Sequence, residues 1–499
     1  MNETVVAATS TGRVRGQRRE HSLAFRGIPY AAAPVGELRF AAPVPHPGWD
    51  GVRDALVNGP TPSLGPTTDS YSIPEPVVPG DEVLNLNVFT PALGADARLP
   101  VYVWIHGGGF VGGSPGGAWF DGDGFARRGV VTVVITYRLG FEGYGDLPGA
   151  PGNRALRDVI AALTWVAENI SAFGGDPDRV TLGGQSAGGS AVLALLTSPA
   201  AQGLFRAAVC HSGPVPDIPL ARAQRVGADM AEAADLAEHD LTSWRQVPRE
   251  RVVAAERARA GADLLSAVRD LHRVLSGRDP ITDFGPVIDG DILPADPVTA
   301  IGSGTAAQVP LLLGVTSHEF NLITAVVERF LASGVSAAVL MGLGVPPVLA
   351  RAYPRAYPDF SPAELLGQAV TDRVFRMPAV RVALARGEAA APTWLWDFRW
   401  RSPVTDRAVH CVDLPFAWHR LGVDRVARIA GPHPPVDLAE EFHGEIVRFV
   451  RDGAVSWPMV TAQAPVAKVW DTPAWVGRDP FRFERIALEQ LDLDRTAVD

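Results

Sequence analysis

The chain has 499 residues, 47% hydrophobic and 20% charged, with a formal net charge of −10. That length can bury a large core without disulfide staples, and the negative balance argues against a nucleic-acid partner. No apolar run reaches the roughly 18 residues of a membrane span, no signal peptide is expected at the N-terminus, and two cysteines, Cys210 and Cys411, fit a reducing, cytoplasmic compartment.

The first ninety residues are rich in proline and glycine with short β-branched runs, which predicts an antiparallel start with long loops. The proline-rich stretch 71–79 reads as an ordered surface loop or lid. Strands are expected at 100–105 and 130–136. Leu156, Val159, Ile160, Leu163, Val166 and Ile170 recur at three- and four-residue steps and predict an amphipathic helix. Further strands are expected at 180–182, 205–210, 310–315 and 393–400. Strand–helix alternation implies a large, mostly parallel central sheet flanked by helices. Two helical stretches, about 219–276 and 321–388, read as insertions that cap the site, so residues 1–499 are expected to form a single catalytic domain.

The densest chemical signal is Gly184-Gln185-Ser186-Ala187-Gly188. It follows a β-branched run and precedes a small-residue apolar run, so it predicts strand, sharp turn and helix. Such a turn presents the serine oxygen at a helix N-terminus, ready to attack a carbonyl. A serine hydroxyl needs a base within hydrogen-bond reach and an acid to orient that base. His410, His419, His433 and His443 all follow Ser186, and order alone does not choose among them. His410 stands first, because it lies in a loop after a predicted strand. His433 sits in a Gly-Pro-His-Pro-Pro surface turn, and His443 reads as a solvated helix residue. For the acid, Glu319 closes the strand at 310–315, where α/β sheets collect functional groups. Asp289 and Asp291 are rivals; as a metal site they make an incomplete calcium loop, and a turn is the simpler reading. No metal or organic cofactor is implied. Trp104-Ile105-His106-Gly107-Gly108-Gly109-Phe110 supplies glycine amides that could face a developing oxyanion, with the Ala187 N–H completing the set. Cys210 reads as inert core; a catalytic thiol at Cys411 lacks flanking signatures.

These residues together resemble the type B carboxylesterase/cholinesterase family of α/β hydrolases, in its bacterial p-nitrobenzyl-esterase-like branch. The resemblance runs through nearly the whole chain. It is carried by Phe25-Arg26-Gly27-Ile28-Pro29-Tyr30-Ala31, Leu84-Asn85-Leu86-Asn87-Val88-Phe89, the glycine loop, Tyr137-Arg138-Leu139-Gly140, Phe173-Gly174-Gly175-Asp176-Pro177, the serine turn and Phe284-Gly285-Pro286-Val287-Ile288-Asp289-Gly290. It implies an α/β-hydrolase fold and a Ser186, Glu319, His410 triad, with Gly108, Gly109 and Ala187 as oxyanion donors. It further implies ion pairs Arg39–Glu82 and Arg138–Asp158, supporting roles for Ser212 and Asp413, and a structural Asp289. Phe110, Gln185, Phe320 and Tyr71 are the expected substrate-binding residues.

Departures from the family pattern narrow the function. Val83 replaces a cysteine of the family's N-terminal loop, residues 59–82 contain no tryptophan, and Gln185 stands where glutamate is frequent. A choline substrate is therefore disfavoured. Glu319 is followed by Phe320 where glycine is usual. The expected activity is hydrolysis of a small-molecule carboxylic ester through an acyl-enzyme, with bulky alcohols accepted, by a monomer or small homo-oligomer. An amidase or transacylase using the same triad, and a non-catalytic binding module of the same fold, are the alternatives.

Overall fold

The alternation of β-branched runs with glycine-rich turns produces one dominant sheet. The structure is a computed structural model that describes residues 3–62, 73–260, 264–277, 279–321, 337–387 and 391–496. The N-terminal strands are β1 (Thr4–Thr9), β2 (Gly12–Arg18), β3 (Leu23–Pro29), β4 (Val52–Asp54) and β5 (Asn85–Thr90). The central ones are β6 (Leu99–Ile105), β7 (Val131–Ile135), β8 (Gly175–Gln185) and β9 (Ala207–His211). A short pair, β10 (Ile218–Pro219) and β11 (Val287–Ile288), precedes β12 (Leu311–Thr316), β13 (Thr393–Phe398), β14 (Ala467–Trp470) and β15 (Trp475–Gly477).

Among the described residues the sheet order is β1-β2-β3-β5-β7-β6-β8-β9-β12-β13-β14-β15, with β4 beside β2 and β10–β11 separate. The strands β1, β2, β3, β5 and β7 pair antiparallel, as the loop-rich start predicts. From β7 to β14 every pairing is parallel, and β15 turns back antiparallel.

Both faces of the parallel part are dry. In β6, Val101, Val103 and Ile105 join one apolar cluster, whereas Tyr102 and Trp104 join another. That period of two sends alternate side chains to opposite faces. The predicted amphipathic helix forms as Arg154–Asn169 and buries Leu156, Val159, Leu163 and Val166 in the first cluster. Each such side chain contributes about 1.5–3 kcal/mol relative to exposure, against the entropy of ordering it. The helix Val436–Asp452 covers the other face with Phe442, Ile446, Phe449 and Val450.

The two predicted insertions are helical. The first contains helices Leu220–Ala233, Leu241–Gln246, Arg249–Ala260 and Leu264–Ser276. The second contains Ala337–Gly342, Pro347–Ala356, Pro362–Thr371 and Met377–Ala385, with a single π turn at Asp372–Arg376; its residues 322–336 and 388 lie outside the described set.

Arg138 and Asp158 meet as expected. The guanidinium donates to both carboxylate oxygens at 2.8 and 2.7 Å, the Arg138 N–H adds a third bond at 3.0 Å, and both side chains are buried. The expected Arg39–Glu82 pair does not form. Arg39 pairs with Glu142 at 2.8 Å and donates to carbonyls of the first insertion, at Trp244 and Arg245. Glu82 is taken instead by Arg53, the middle residue of β4, and by His46. Glu142 lies in the helix Gly140–Tyr144, so Arg39 joins that helix to the first insertion.

Candidate active site

The site lies where parallel strands end. β8 stops at Gln185 and the helix Ala187–Thr197 begins one residue after Ser186. Ser186 joins them with φ 56° and ψ −121°, a conformation that costs a non-glycine residue of order 1–3 kcal/mol. Its N–H donates to the carbonyl of His211, at the end of β9, at 2.9 Å. The flanking glycines are obligatory for contact reasons. A Cβ on Gly184 would stand 2.4 Å from the Gly188 carbonyl oxygen, and one on Gly188 would stand 2.1 Å from that of Ile105.

The glycine loop leaves β6 through His106. Gly108 and Gly109 have φ of 120° and 61°, open to glycine and strained for other residues. A Cβ on Gly108 would meet the Gly112 carbonyl at 2.2 Å. The loop folds back on itself through N–H donation from Val111 and Gly112 to the Gly108 carbonyl. His106 anchors its base: the ring stacks on Tyr137 at 4.6 Å, and the Tyr137 hydroxyl donates to the His106 carbonyl at 2.7 Å. Burial depresses the His106 pKa to about 4, so the ring is neutral at pH 7. Ala187 opens the helix, where the first N–H groups have no partner inside the helix.

Glu319 and His410 come together across 91 residues. Nδ1 of His410 donates to Oε2 of Glu319 at 2.5 Å, and Oε1 of Glu319 accepts the Thr316 N–H at 2.8 Å. The Glu319 side chain is fully buried. A backbone bond from His410 N–H to the Glu319 carbonyl, 3.0 Å, ties the two loops together. Burial opposes the imidazolium, but the contacts with Cys411 and Glu319 outweigh it and hold the His410 pKa well above the usual histidine value. The Gln185 side-chain amide lies 3.1 Å from His410 Nε2 and donates to Cys411 Sγ at 3.2 Å.

These groups open on one cavity of about 420 Å³. Its lining includes Gly107, Gly108, Gly109, Gln185, Ser186, Phe320, His410 and Cys411, with Ile73, Glu75, His106 and Phe120. A second cavity, about 470 Å³, lies among the insertion helices and touches neither Ser186 nor His410. Phe320 packs on His410 and on Phe375, ring centres 5.2 and 5.0 Å away, and Phe375 itself lies 5.0 Å from His410. Phe375 belongs to the π turn, a local widening of the helix frequent at functional sites.

Other expected residues fall elsewhere. Phe110 is outside the lining of the Ser186 cavity; its ring packs edge-on to Tyr144 at 5.0 Å, because its φ of 65° turns the chain toward Gly140. Tyr71 lies outside the described residues. His443, expected to be solvated, is 1% exposed, with Nδ1 2.8 Å from the Ala417 carbonyl. The reason is its position on the inward face of Val436–Asp452. His419 pairs with Glu440, and His433 is exposed. Asp289 accepts N–H bonds from Asp291 and Leu293 and caps a turn, and Asp291 pairs with Arg157. Among the described residues no cluster of three or more His, Cys, Asp or Glu could hold a metal. Cys210 is buried, and burial raises its thiol to about 12. Asp413 accepts from His211 at 2.9 Å, and the Ser212 N–H donates to Gly314. Sequence reasoning did not single out Glu75, Ile73 or Phe375 for the cavity region. The only signal for the first two was the proline-rich stretch that carries them.

A model of the carboxylesterase family matches residues 3–337. The para-nitrobenzyl esterase of Bacillus subtilis is 34% identical, over 95% of this chain and 96% of its own. The phenmedipham hydrolase of Pseudarthrobacter oxydans is 32% identical, over 97% and 99%. The crystal structure of a Geobacillus stearothermophilus carboxylesterase superposes with a TM-score of 0.83 at 33% identity, covering 97% of this chain and 99% of that one. No described helix is long and apolar enough to cross a membrane.

Proposed function

Since the chain belongs to the carboxylesterase family and is a serine carboxylic ester hydrolase of the α/β-hydrolase fold, we propose that Ser186, His410 and Glu319 carry the reaction as a triad. Ser186 Oγ forms a bond to the ester carbonyl carbon while its proton passes to Nε2 of His410. The carbonyl oxygen takes the negative charge and accepts N–H bonds from Gly108, Gly109 and Ala187; loss of one such donor costs about 3–4 kcal/mol in comparable sites. Collapse breaks the carbon–alkoxy bond, and His410 returns the proton to the departing alcohol. Water then attacks the acyl-enzyme, giving a proton to His410, and release of the acid restores the Ser186 hydroxyl.

The observation that carries this reading is the 2.5 Å His410–Glu319 contact. It fixes the proton on Nδ1 and leaves the Nε2 lone pair on the cavity side, where Ser186 also lies. The Gln185 amide occupies Nε2 in this arrangement, so the ring exchanges that contact for the Ser186 hydroxyl when substrate enters; such bonds are commonly loose without substrate. Four glycines, 107, 108, 109 and 113, line the cavity and put no side chain into it. This supports acceptance of bulky alcohols, and turnover of tert-butyl acetate tests it. One sheet runs from Thr4 to Gly477, which supports residues 1–499 acting as one catalytic unit. Two free thiols fit a cytoplasmic setting.

The test is p-nitrophenyl butyrate hydrolysis by wild type and Ser186→Ala. A loss of several orders of magnitude is expected. A folded Ser186→Ala with near wild-type rate overturns the assignment.

A further inference from the structure

The cavity that holds Ser186 and His410 also holds a carboxylate that the reaction does not use. Glu75 lines the same cavity as Ser186 and is part-buried. No arginine, lysine or histidine pairs with it among the described residues. Burial pushes its pKa up, and the nearby Gly113 backbone N–H offsets only part of that. Its charge also reaches Tyr137, beneath His106, and adds to the upward push that burial gives that hydroxyl.

Backbone packing places Glu75 close to the reacting centre. A Cβ on Gly113 would stand 2.2 Å from the Gly107 carbonyl, and one on Gly107 would stand 3.2 Å from Ser186 Cβ. Glu75 packs on the same glycine loop: a Cβ on Gly112 would stand 3.4 Å from its Oε2. His106, which lines the same cavity, keeps Nε2 without a hydrogen-bond partner among the described residues. Its Nδ1 lies 2.8 Å from the Gly107 carbonyl, which fixes the ring proton there and leaves Nε2 as an acceptor. Ile73, Phe120 and Phe320 give the lining its apolar part, Ser114 and Gln185 are its uncharged polar side chains besides Ser186, and Glu75 is its one carboxylate among the described residues. A part-buried carboxylate with no cationic partner among the described residues is costly unless a ligand supplies the counter-charge.

Building on the triad assigned above, we propose that Glu75 is a specificity residue that selects esters bearing a protonated amine. An ammonium with an N–H donates to the carboxylate. This differs from a choline site, which grips a quaternary ammonium with aromatic faces.

A matched pair tests this: 2-(dimethylamino)ethyl benzoate, cationic at pH 7, and 3-methylbutyl benzoate, its neutral isostere. A charge-assisted hydrogen bond in such a setting predicts about a tenfold preference in kcat/KM for the cation. Glu75→Gln is expected to bring the ratio near one, and Glu75→Asp to recover part of it. An unchanged ratio in Glu75→Gln, or no preference in wild type, overturns the proposal. An equal fall on both esters also overturns it, because that is the signature of a residue that merely braces Gly113. Ser186→Ala abolishing both activities belongs to the triad assignment and leaves the ratio test separate.

Discussion

Replacing Glu319 by glutamine separates charge from shape at the centre of the site. Both carboxylate oxygens are committed to donors: Oε2 to His410 Nδ1 at 2.5 Å and Oε1 to the Thr316 N–H at 2.8 Å. Glutamine offers one acceptor and one donor. If its oxygen keeps Thr316, its amide nitrogen faces His410 and forces the ring proton onto Nε2, the atom that accepts the Ser186 proton in the proposed triad. That wrong tautomer costs about 10⁴-fold in kcat in the corresponding aspartate-to-asparagine change of a serine protease, about 5.4 kcal/mol of barrier. If the amide flips, His410 keeps its acceptor and the buried Thr316 N–H is left facing a donor, at about 1–3 kcal/mol of stability. Activity then survives better than stability does. The first orientation keeps the fold, so the expected result is a kcat on p-nitrophenyl butyrate lower by about 10³–10⁴, with a melting temperature little changed. A folded variant within tenfold of wild type, equally stable, would refute the reasoning, because neither orientation permits it.

Three other outcomes follow from the same coordinates. Asp158→Asn leaves the Arg138 guanidinium buried beside a neutral partner, and urea unfolding should show a loss of about 3–5 kcal/mol; a loss under about 1 kcal/mol would mean that water reaches the pair. Gly188→Ala puts a methyl 2.1 Å from the Ile105 carbonyl oxygen, so β6 and the serine turn must part, and kcat should fall about 10²-fold; activity near wild type would show that the helix start can slide. As the proposed base, His410 must be neutral to accept a proton, and its pKa is raised, so kcat/KM should rise with pH through a half-point above the free histidine value of about 6.5. By linkage, the same shift stabilises the fold below about 6.5 and that contribution is lost as pH climbs through the higher folded value. A kinetic half-point below about 6 would contradict the contacts seen at His410.

Legibility in the sequence tracked the range of the interaction. The serine turn, the glycine loop and the central strands were all readable, because a run of about ten residues dictates each one. Thus 100–105 appears as Leu99–Ile105, and 310–315 as Leu311–Thr316. Partners that depend on distant loops were not. Arg39 was matched with Glu82, yet the chain brings Glu142 and the first insertion to it and Arg53 to Glu82. His443 carries polar neighbours in sequence, such as Glu440 and Glu441, but occupies the inward stripe of its helix, a matter of phase that a polar average conceals. Phe110 looked like a pocket residue because it ends the glycine loop; a positive φ sends it back toward Tyr144. Glu75 gave no local signal, since a carboxylate between two prolines reads as solvated until the cavity around it is known.

The direction of the strands has a practical corollary for handling the molecule. His106, Ser186, Glu319 and His410 all emerge near the tail ends of β6, β8, β12 and β13, whereas the short turn Ala95–Ala97 leads into the head of β6. Asp96 in that turn is exposed, on the rim of the sheet facing away from the mouth. A single tether placed there, to a bead or an electrode, would hold every molecule with its opening toward the bulk solution. A tether in the stretch 114–120 would press the same opening against the support.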